Sequence, residues 1–501
     1  MFIGIFAFLP SSAVGQNAFD EYKKKKQSEF NAYKESKQKA FDDYKIRKRK
    51  EFDEYRRKKN EEFAKYLEQK WVIMPEKDPI PEPRMPEPVK PTIAPKDKNN
   101  SLPDKPTQVP EGEIIPVPVP QKELPRSIPL PLPEANPITA KMNLAYYGLS
   151  IPVSMNNNLK FQLSGLSEKD IVKVWDLLSE DTYTPLFDDC AQLIEDLRLN
   201  GWGTLKLCQI VGETLEGKGT NESVVLETYL LTQLGYDARL IRVNKNKLLM
   251  ICPCNELLCR LSFIEISGKK YYVFGDMPSN GTIYSYKNNF DAATLSLDLN
   301  GITNIRFNYT PSASKTFTSE WNSNLSVTVE VNKNLVDFYN DMPFIKDWSY
   351  YARQKLDREL SQKLMPTLKT AIAGKEELAA ANELLHFVQT AFDYQTDEEQ
   401  FKKEKTDFKE EPFYDSACDC EDRSILFSDF VYTLLHLDVV LLHYPNHLCT
   451  AVKFTNDVNG DYIMVNGQKY VICDPTYINA SVGSCMPKFK STKPTIYKIY
   501  N

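Results

Sequence analysis

The sequence predicts an α+β protein of several domains, carried behind a long helix and a proline-rich linker. Three observations predict it. At 501 residues the chain exceeds the roughly 100–200 residues of one domain. Its 32 prolines outnumber its 19 glycines, and 19 of those prolines fall within 75–137, so the packed portion lies elsewhere. Beyond them, helical stretches alternate with strand-like ones, an α+β pattern.

Composition narrows the classes further. Hydrophobic residues at 42% and charged residues at 26% are globular usage. The net charge of −6 hides an asymmetry: residues 16–70 hold 18 Lys/Arg against 12 Asp/Glu, leaving −12 on the rest. Ten cysteines in a chain of this length do not make a disulfide scaffold, and four histidines leave few ways to build a metal site or a general base. No cofactor and no metal are expected.

The first fifteen residues, MFIGIFAFLPSSAVG, join an apolar run to small residues. Ala13-Val14-Gly15 fits an A-x-A-like cleavage pattern before Gln16, so 1–15 reads as a secretory signal, one that lacks a positively charged start. No other stretch approaches the ~18 uninterrupted apolar residues of a membrane span. A bacterial periplasm, cell surface or secreted location is expected.

Residues 16–71 repeat every eleven residues, with Phe at 19, 30, 41, 52 and 63 and Tyr at 22, 33, 44, 55 and 66. Eleven residues over three turns keeps the aromatics almost on one helix face. One long basic helix is predicted. Its stripe is too narrow to form a core alone, so it needs a partner: a second copy, or an anionic envelope or membrane surface. Nucleic acid is not expected for an exported chain. Residues 72–141 form the proline-rich linker, in which proline fixes φ and removes the backbone donor, predicting an extended, semi-rigid stalk.

Residues 142–290 alternate helical stretches such as NESVVLETYLLTQLGY with strand-like ones such as DARLIRV, KLLMICP and KYYVFG, an α+β domain. Residues 291–334 hold short alternating runs (SLDLNG, IRFNYT, SVTVEV) and read as a small β-module. From 335 to 501 the pattern is helical to about 408, crosses a Cys/Asp-rich turn, enters another apolar helix and ends in strands.

The chemistry concentrates at that turn, DSACDCEDRSILFSDFVYTLL. Apolar residues from Ile425 to Leu435 are spaced for one helix face, which puts Cys420 at the helix start. There the dipole and free backbone N–H groups favour a thiolate. HYPNHLCTAVKF brings His447 just after a turn, and KYVICDPTY brings Asp474 to the end of an apolar run. A thiolate to attack a carbonyl, an imidazole to move protons and a carboxylate to hold its tautomer make a complete set. Cys418 is the rival nucleophile, in the preceding loop, and His443 the alternative base. His386 and His436 lie in apolar helical patterns and read as structural. Cys252, Cys254 and Cys259 lack a fourth ligand for zinc and read as buried thiols or one disulfide.

The strings CDCEDRSILF, YPNHLCTAV and YVICDPTY, in this order, together with the upstream FVQTAFDYQTDEEQF, resemble the transglutaminase-like cysteine hydrolase superfamily, in particular its exported bacterial members. The likeness covers about 335–501. It implies a papain-like or transglutaminase-like domain, a Cys-bearing helix packed on an antiparallel sheet carrying His and Asp. It implies Cys420 as nucleophile, His447 as base and acid, Asp474 as orienting carboxylate, and Gln389 as an oxyanion donor beside the Cys420 N–H. Two positions depart from the family pattern: Cys449 stands where a small residue is usual, and Lys402 where glycine is expected. NESVVLETYLLTQLGYDARLIRV resembles the helix and strand that follow the nucleophile, yet no cysteine lies near Gly219 to Asn221 and no histidine precedes His386. Residues 142–290 are therefore expected to be a degenerate copy. Two functions follow from the resemblance. One is a thiol hydrolase or acyltransferase acting on a protein or peptide substrate, at peptide or side-chain amides. The other is an inactive binding module displayed on the stalk.

Overall fold

The computed structural model describes residues 12–81, 91–96, 102–103, 105–118, 141–278, 281–288, 290 and 293–500, with side chains from residue 21. The apolar run of the expected signal at 1–11, and the proline runs at 82–90 and 119–140, lie outside the described residues. No helix among the described residues is long and apolar enough to cross a membrane.

Helix α1 runs Ser12–Leu67, followed by strands β1 Val72–Met74, β2 Glu76–Lys77 and β3 Ile114–Ile115. A first unit opens with the hairpin β4 Lys141–Tyr146 and β5 Leu149–Ser154. Helices α2 Glu168–Leu178, α3 Thr184–Leu197, α4 Gly201–Glu216 and α5 Asn221–Gln233 follow. Its strands are β6 Arg239–Val243, β7 Lys247–Pro253, β8 Phe263–Ile266, β9 Lys269–Phe274 and β10 Ile283–Ser285. The hairpin β11 Lys315–Thr318 and β12 Ser326–Val329 leads to α6 Lys333–Asp341, α7 Trp348–Arg353, α8 Arg358–Ile372 and α9 Glu377–Thr390. Short elements β13 Asp393–Tyr394, α10 Asp397–Gln400, α11 Glu411–Asp415 and β14 Ala417–Cys418 precede α12 Cys420–Phe430. The chain closes with β15 Asp438–Tyr444, β16 His447–Lys453, β17 Tyr462–Val465, β18 Gln468–Cys473 and β19 Thr495–Lys498.

The architecture is mixed α+β with two largely antiparallel sheets, ordered β1-β10-β6-β7-β9-β8-β2 and β3-β19-β15-β16-β18-β17. The orders correspond strand for strand except for β2, which adds an edge to the first sheet. The registers correspond as well. Met250 pairs with Phe274 and Ile251 with Val273 in the first sheet, as Thr450 pairs with Cys473 and Ala451 with Ile472 in the second. The β8–β9 turn at Ser267-Gly268 and the β17–β18 turn at Asn466-Gly467 both use two consecutive positive φ angles, 52° and 78° against 52° and 77°. Such a pair matches the twist of a tight hairpin. Each sheet packs one face on a helix, through Leu240, Leu248 and Met250 in the first and Leu441, Leu448 and Val452 in the second. The opposite faces form separate apolar clusters around Ile241, Leu249 and Ile251, and around Leu442, Cys449 and Ala451. Strand alternation accounts for both.

The arm is a single helix as its repeat predicts, but its C-terminal part has its partner within the chain. Phe63 stacks on Trp175 with ring centres 4.5 Å apart, Tyr66 meets Tyr286 at 4.9 Å, and Arg49 pairs with Asp188 at 2.7 Å. Phe30 and Tyr33, earlier in the same repeat, are exposed.

The stalk expectation is corrected. Described parts of 72–118 lie along both sheets: β1 pairs with β10, β2 with β8 and β3 with β19. Val109, fully buried, donates its N–H to the Tyr462 carbonyl at 2.8 Å. Proline is tolerated on a sheet edge, where one side of the strand needs no donor, and these segments cover edges that would otherwise stay open. Gly112 permits the approach to β19: a Cβ there would stand 1.6 Å from the Pro494 carbonyl oxygen. The small β-module is corrected too. Leu295 and Leu297 bridge to Tyr236 and Cys254 of the first unit, IRFNYT holds no strand, and what remains is the β11–β12 hairpin.

Candidate active site

The site is assembled where α12 meets the start of β16. Asp419 precedes the helix in extended conformation and Cys420 is its first residue. The DCEDR string is explained letter by letter. Asp422 Oδ2 accepts the Asp419 N–H at 3.2 Å and its Oδ1 accepts the Asp407 N–H at 2.9 Å, fixing the turn into the helix. Arg423, 1% exposed, donates Nη1 to the Gln389 carbonyl at 3.0 Å and Nη2 to the Phe392 carbonyl at 2.9 Å, tying α12 to the end of α9. Ser424, one turn beyond Cys420, donates to the Leu448 carbonyl at 3.0 Å, and the Leu448 N–H faces the Cys420 sulfur. Helix and strand are thus pinned together on either side of Leu448, one residue from His447.

His447 and Asp474 are in direct contact, Nε2 to Oδ2 at 2.8 Å. Asp474 Oδ1 accepts the N–H groups of Thr476 at 2.9 Å and Tyr477 at 3.1 Å, so the carboxylate is held at both oxygens. Phe489 lies nearly parallel to the imidazole, centres 5.0 Å apart. With Nε2 donating to Asp474, Nδ1 is the basic nitrogen of the neutral ring.

Cys420 does not join this pair by a hydrogen bond. Its thiol donates to Glu421 Oε2 at 3.1 Å, it is 3% exposed, and burial, reinforced by the Asp419 charge, pushes its pKa well above the ordinary thiol value. The thiolate expected from the helix dipole is corrected on this point: desolvation in a ring of carboxylates outweighs half a unit of dipole charge. Cys449 lies beside the pair, its sulfur within 4.8 Å of the His447 and Asp474 ligand atoms. Burial raises its pKa too.

Gln389 has another role than the expected oxyanion donor. Its Nε2 donates to the carbonyls of Asp474, Tyr477 and Ala480 at 3.0, 2.9 and 3.0 Å, and Oε1 contacts His386 Nδ1 at 2.9 Å. The amide is consumed in holding the loop that carries Asp474. His386 is buried and stacked on Trp321 at 3.8 Å, His443 packs beside Trp348 at 4.6 Å with burial lowering its pKa to about 4, and Cys418 is buried in β14 with its thiol pushed up to about 12 by burial. No disulfide joins the cysteines among the described residues.

No protein-family model, curated protein or solved structure matches the chain.

Sequence reasoning missed the carboxylates around the thiol. Asp397, Glu404 and Glu421 have oxygens within 4.8 Å of one another, and Asp419, Cys420 and Glu421 form a second such set. These, with His447, Cys449 and Asp474, are the groups among the described residues that could hold a metal ion. Burial raises Asp397 to about 8 and Asp419 and Glu421 well above their usual range. The only signal in the sequence was the run of acids in DCED, whose neighbours at 397 and 404 come from a different loop.

The corresponding place in the first unit holds different chemistry. Asn221 is the first residue of α5, and its Oδ1 accepts the Leu248 N–H at 2.8 Å. Lys247 begins β7 where His447 begins β16, and Gly275 follows β9 where Asp474 follows β18. Lys247 donates instead to the Asp276 carbonyl.

Proposed function

We propose that the C-terminal unit is a transglutaminase-like thiol hydrolase or acyltransferase, exported, and acting on peptide or side-chain amides of a protein or peptide. The observation that carries this reading is the His447–Asp474 bond of 2.8 Å, beside a helix whose first residue is Cys420 and whose N–H groups head the turn. Asp474 fixes the tautomer and stabilises the imidazolium, leaving Nδ1 to receive the thiol proton.

The reaction then runs in balanced steps. The Cys420 thiol turns from Glu421 and passes its proton to His447 Nδ1 as sulfur bonds to the substrate carbonyl carbon. The oxyanion faces the first-turn amides of α12. Collapse breaks the C–N bond, and the departing amine takes the proton from Nδ1. Water, or an acceptor amine, loses a proton to Nδ1 while attacking the thioester; collapse breaks the C–S bond and releases the acid or the new amide, and the sulfur takes the proton back from Nδ1 to restore the Cys420 thiol. Intact-mass measurement after iodoacetamide at pH 6 tests the pair: one adduct at Cys420 that disappears in His447→Ala supports it, and indiscriminate labelling of thiols contradicts it.

A second reading, an inactive binding module, is favoured by one observation: the thiol is buried, bonded to Glu421 and joined to no base. It predicts that Cys420→Ala leaves function in the cell intact.

A further inference from the structure

We propose that the junction between the two units is a binding site for a small oligoanion, a molecule bearing two or more carboxylate or phosphate groups. A cavity of about 550 Å³ lies there, walled by the end of α3, the connector 303–309 and the start of α8. That is room for a drug-sized ligand. Four cationic side chains line it: Arg198, Arg306, Lys355 and Arg358. All four are exposed. Arg306 donates to the Asp196 carbonyl at 3.2 Å, while Arg198, Lys355 and Arg358 have no side-chain hydrogen bond or ion pair among the described residues.

The acids in the wall do not neutralise them. Asp357 caps α8 with one oxygen, accepting the N–H groups of Glu359 at 3.1 Å and Leu360 at 3.3 Å, so two carboxylates, Asp357 and Glu359, stand against four cations and the wall keeps an excess of positive charge. Like charges converging on a concave surface with an excess over their counter-charges raise the local potential and attract an anion. Arginine forks match the two oxygens of a carboxylate or phosphate. The cations come from three separate segments, so a ligand with several oxyanion groups can engage more than one of them. Phe307 and Tyr309 add ring surface for its scaffold.

Calorimetric titration of the full chain with citrate and with pyrophosphate, at low salt, tests the site, with sucrose as the neutral control. Sub-millimolar binding of either anion is expected, and the tighter of the two identifies carboxylate or phosphate as the preferred group. Arg198→Gln/Arg358→Gln, checked for an unchanged melting temperature, should weaken binding by about tenfold for each charge-assisted bond lost. Absence of binding by both anions, or equal affinity in the double variant, overturns the proposal.

Discussion

Asn221 stands in the first unit where Cys420 stands in the second: each begins the helix packed on its sheet, and each turns its side chain to the N–H of the second residue of the facing strand, Leu248 or Leu448. The amide is a better acceptor there than sulfur and is no nucleophile. Asn221→Ala leaves the Leu248 N–H without its acceptor and should cost about 1–2 kcal/mol, read by urea unfolding, with alkylation at Cys420 unchanged.

Gln389→Ala removes the donor shared by the Asp474, Tyr477 and Ala480 carbonyls. Leaving buried acceptors unpaired should destabilise by about 2–3 kcal/mol, and the rate of Cys420 alkylation should fall because Asp474 is no longer held in place. A melting curve together with an alkylation time course checks both effects.

Lys402 carries φ of 59°, the left-handed region in which a Cβ is unfavourable. Lys402→Gly should therefore raise stability by about 0.5–1 kcal/mol, measured by denaturant midpoint.

Asp419→Asn should move the thiol's titration to lower pH, because burial and then the Asp419 charge hold it up. The pH dependence of alkylation at Cys420 reads the shift directly, and a profile displaced upward would contradict the assigned sign.

Stability should fall as pH rises from about 4.5 to 8. Burial raises Asp397 and Glu411 to about 8 and Glu410 to about 7. The folded state therefore holds protons that the unfolded chain has already released across this window, so each unit of pH favours unfolding. Melting temperatures between pH 5 and 8 check this.

Much of the site was legible because it is written locally. A helix start at Cys420 within DCED, a turn before His447 and an apolar run before Asp474 are short-range signals, and the structure brings the histidine and the aspartate into contact. What escaped depends on distant chain. Glu421, which accepts the thiol's hydrogen, meets Asp397 and Glu404 from a stretch whose course no spacing reveals, and Gln389 is saturated by carbonyls 85 to 91 residues away. The proline segment misled for a similar reason: its composition describes an isolated chain, whereas Ile114 and Val109 found open sheet edges to cover.

The most direct measurement of the proposed chemistry is peptide mapping after brief iodoacetamide treatment of the wild type, His447→Ala and Cys449→Ser. The account predicts a Cys420 adduct in the wild type, retained in Cys449→Ser and lost in His447→Ala. An adduct on Cys449, or Cys420 labelling that is indifferent to His447, would contradict it.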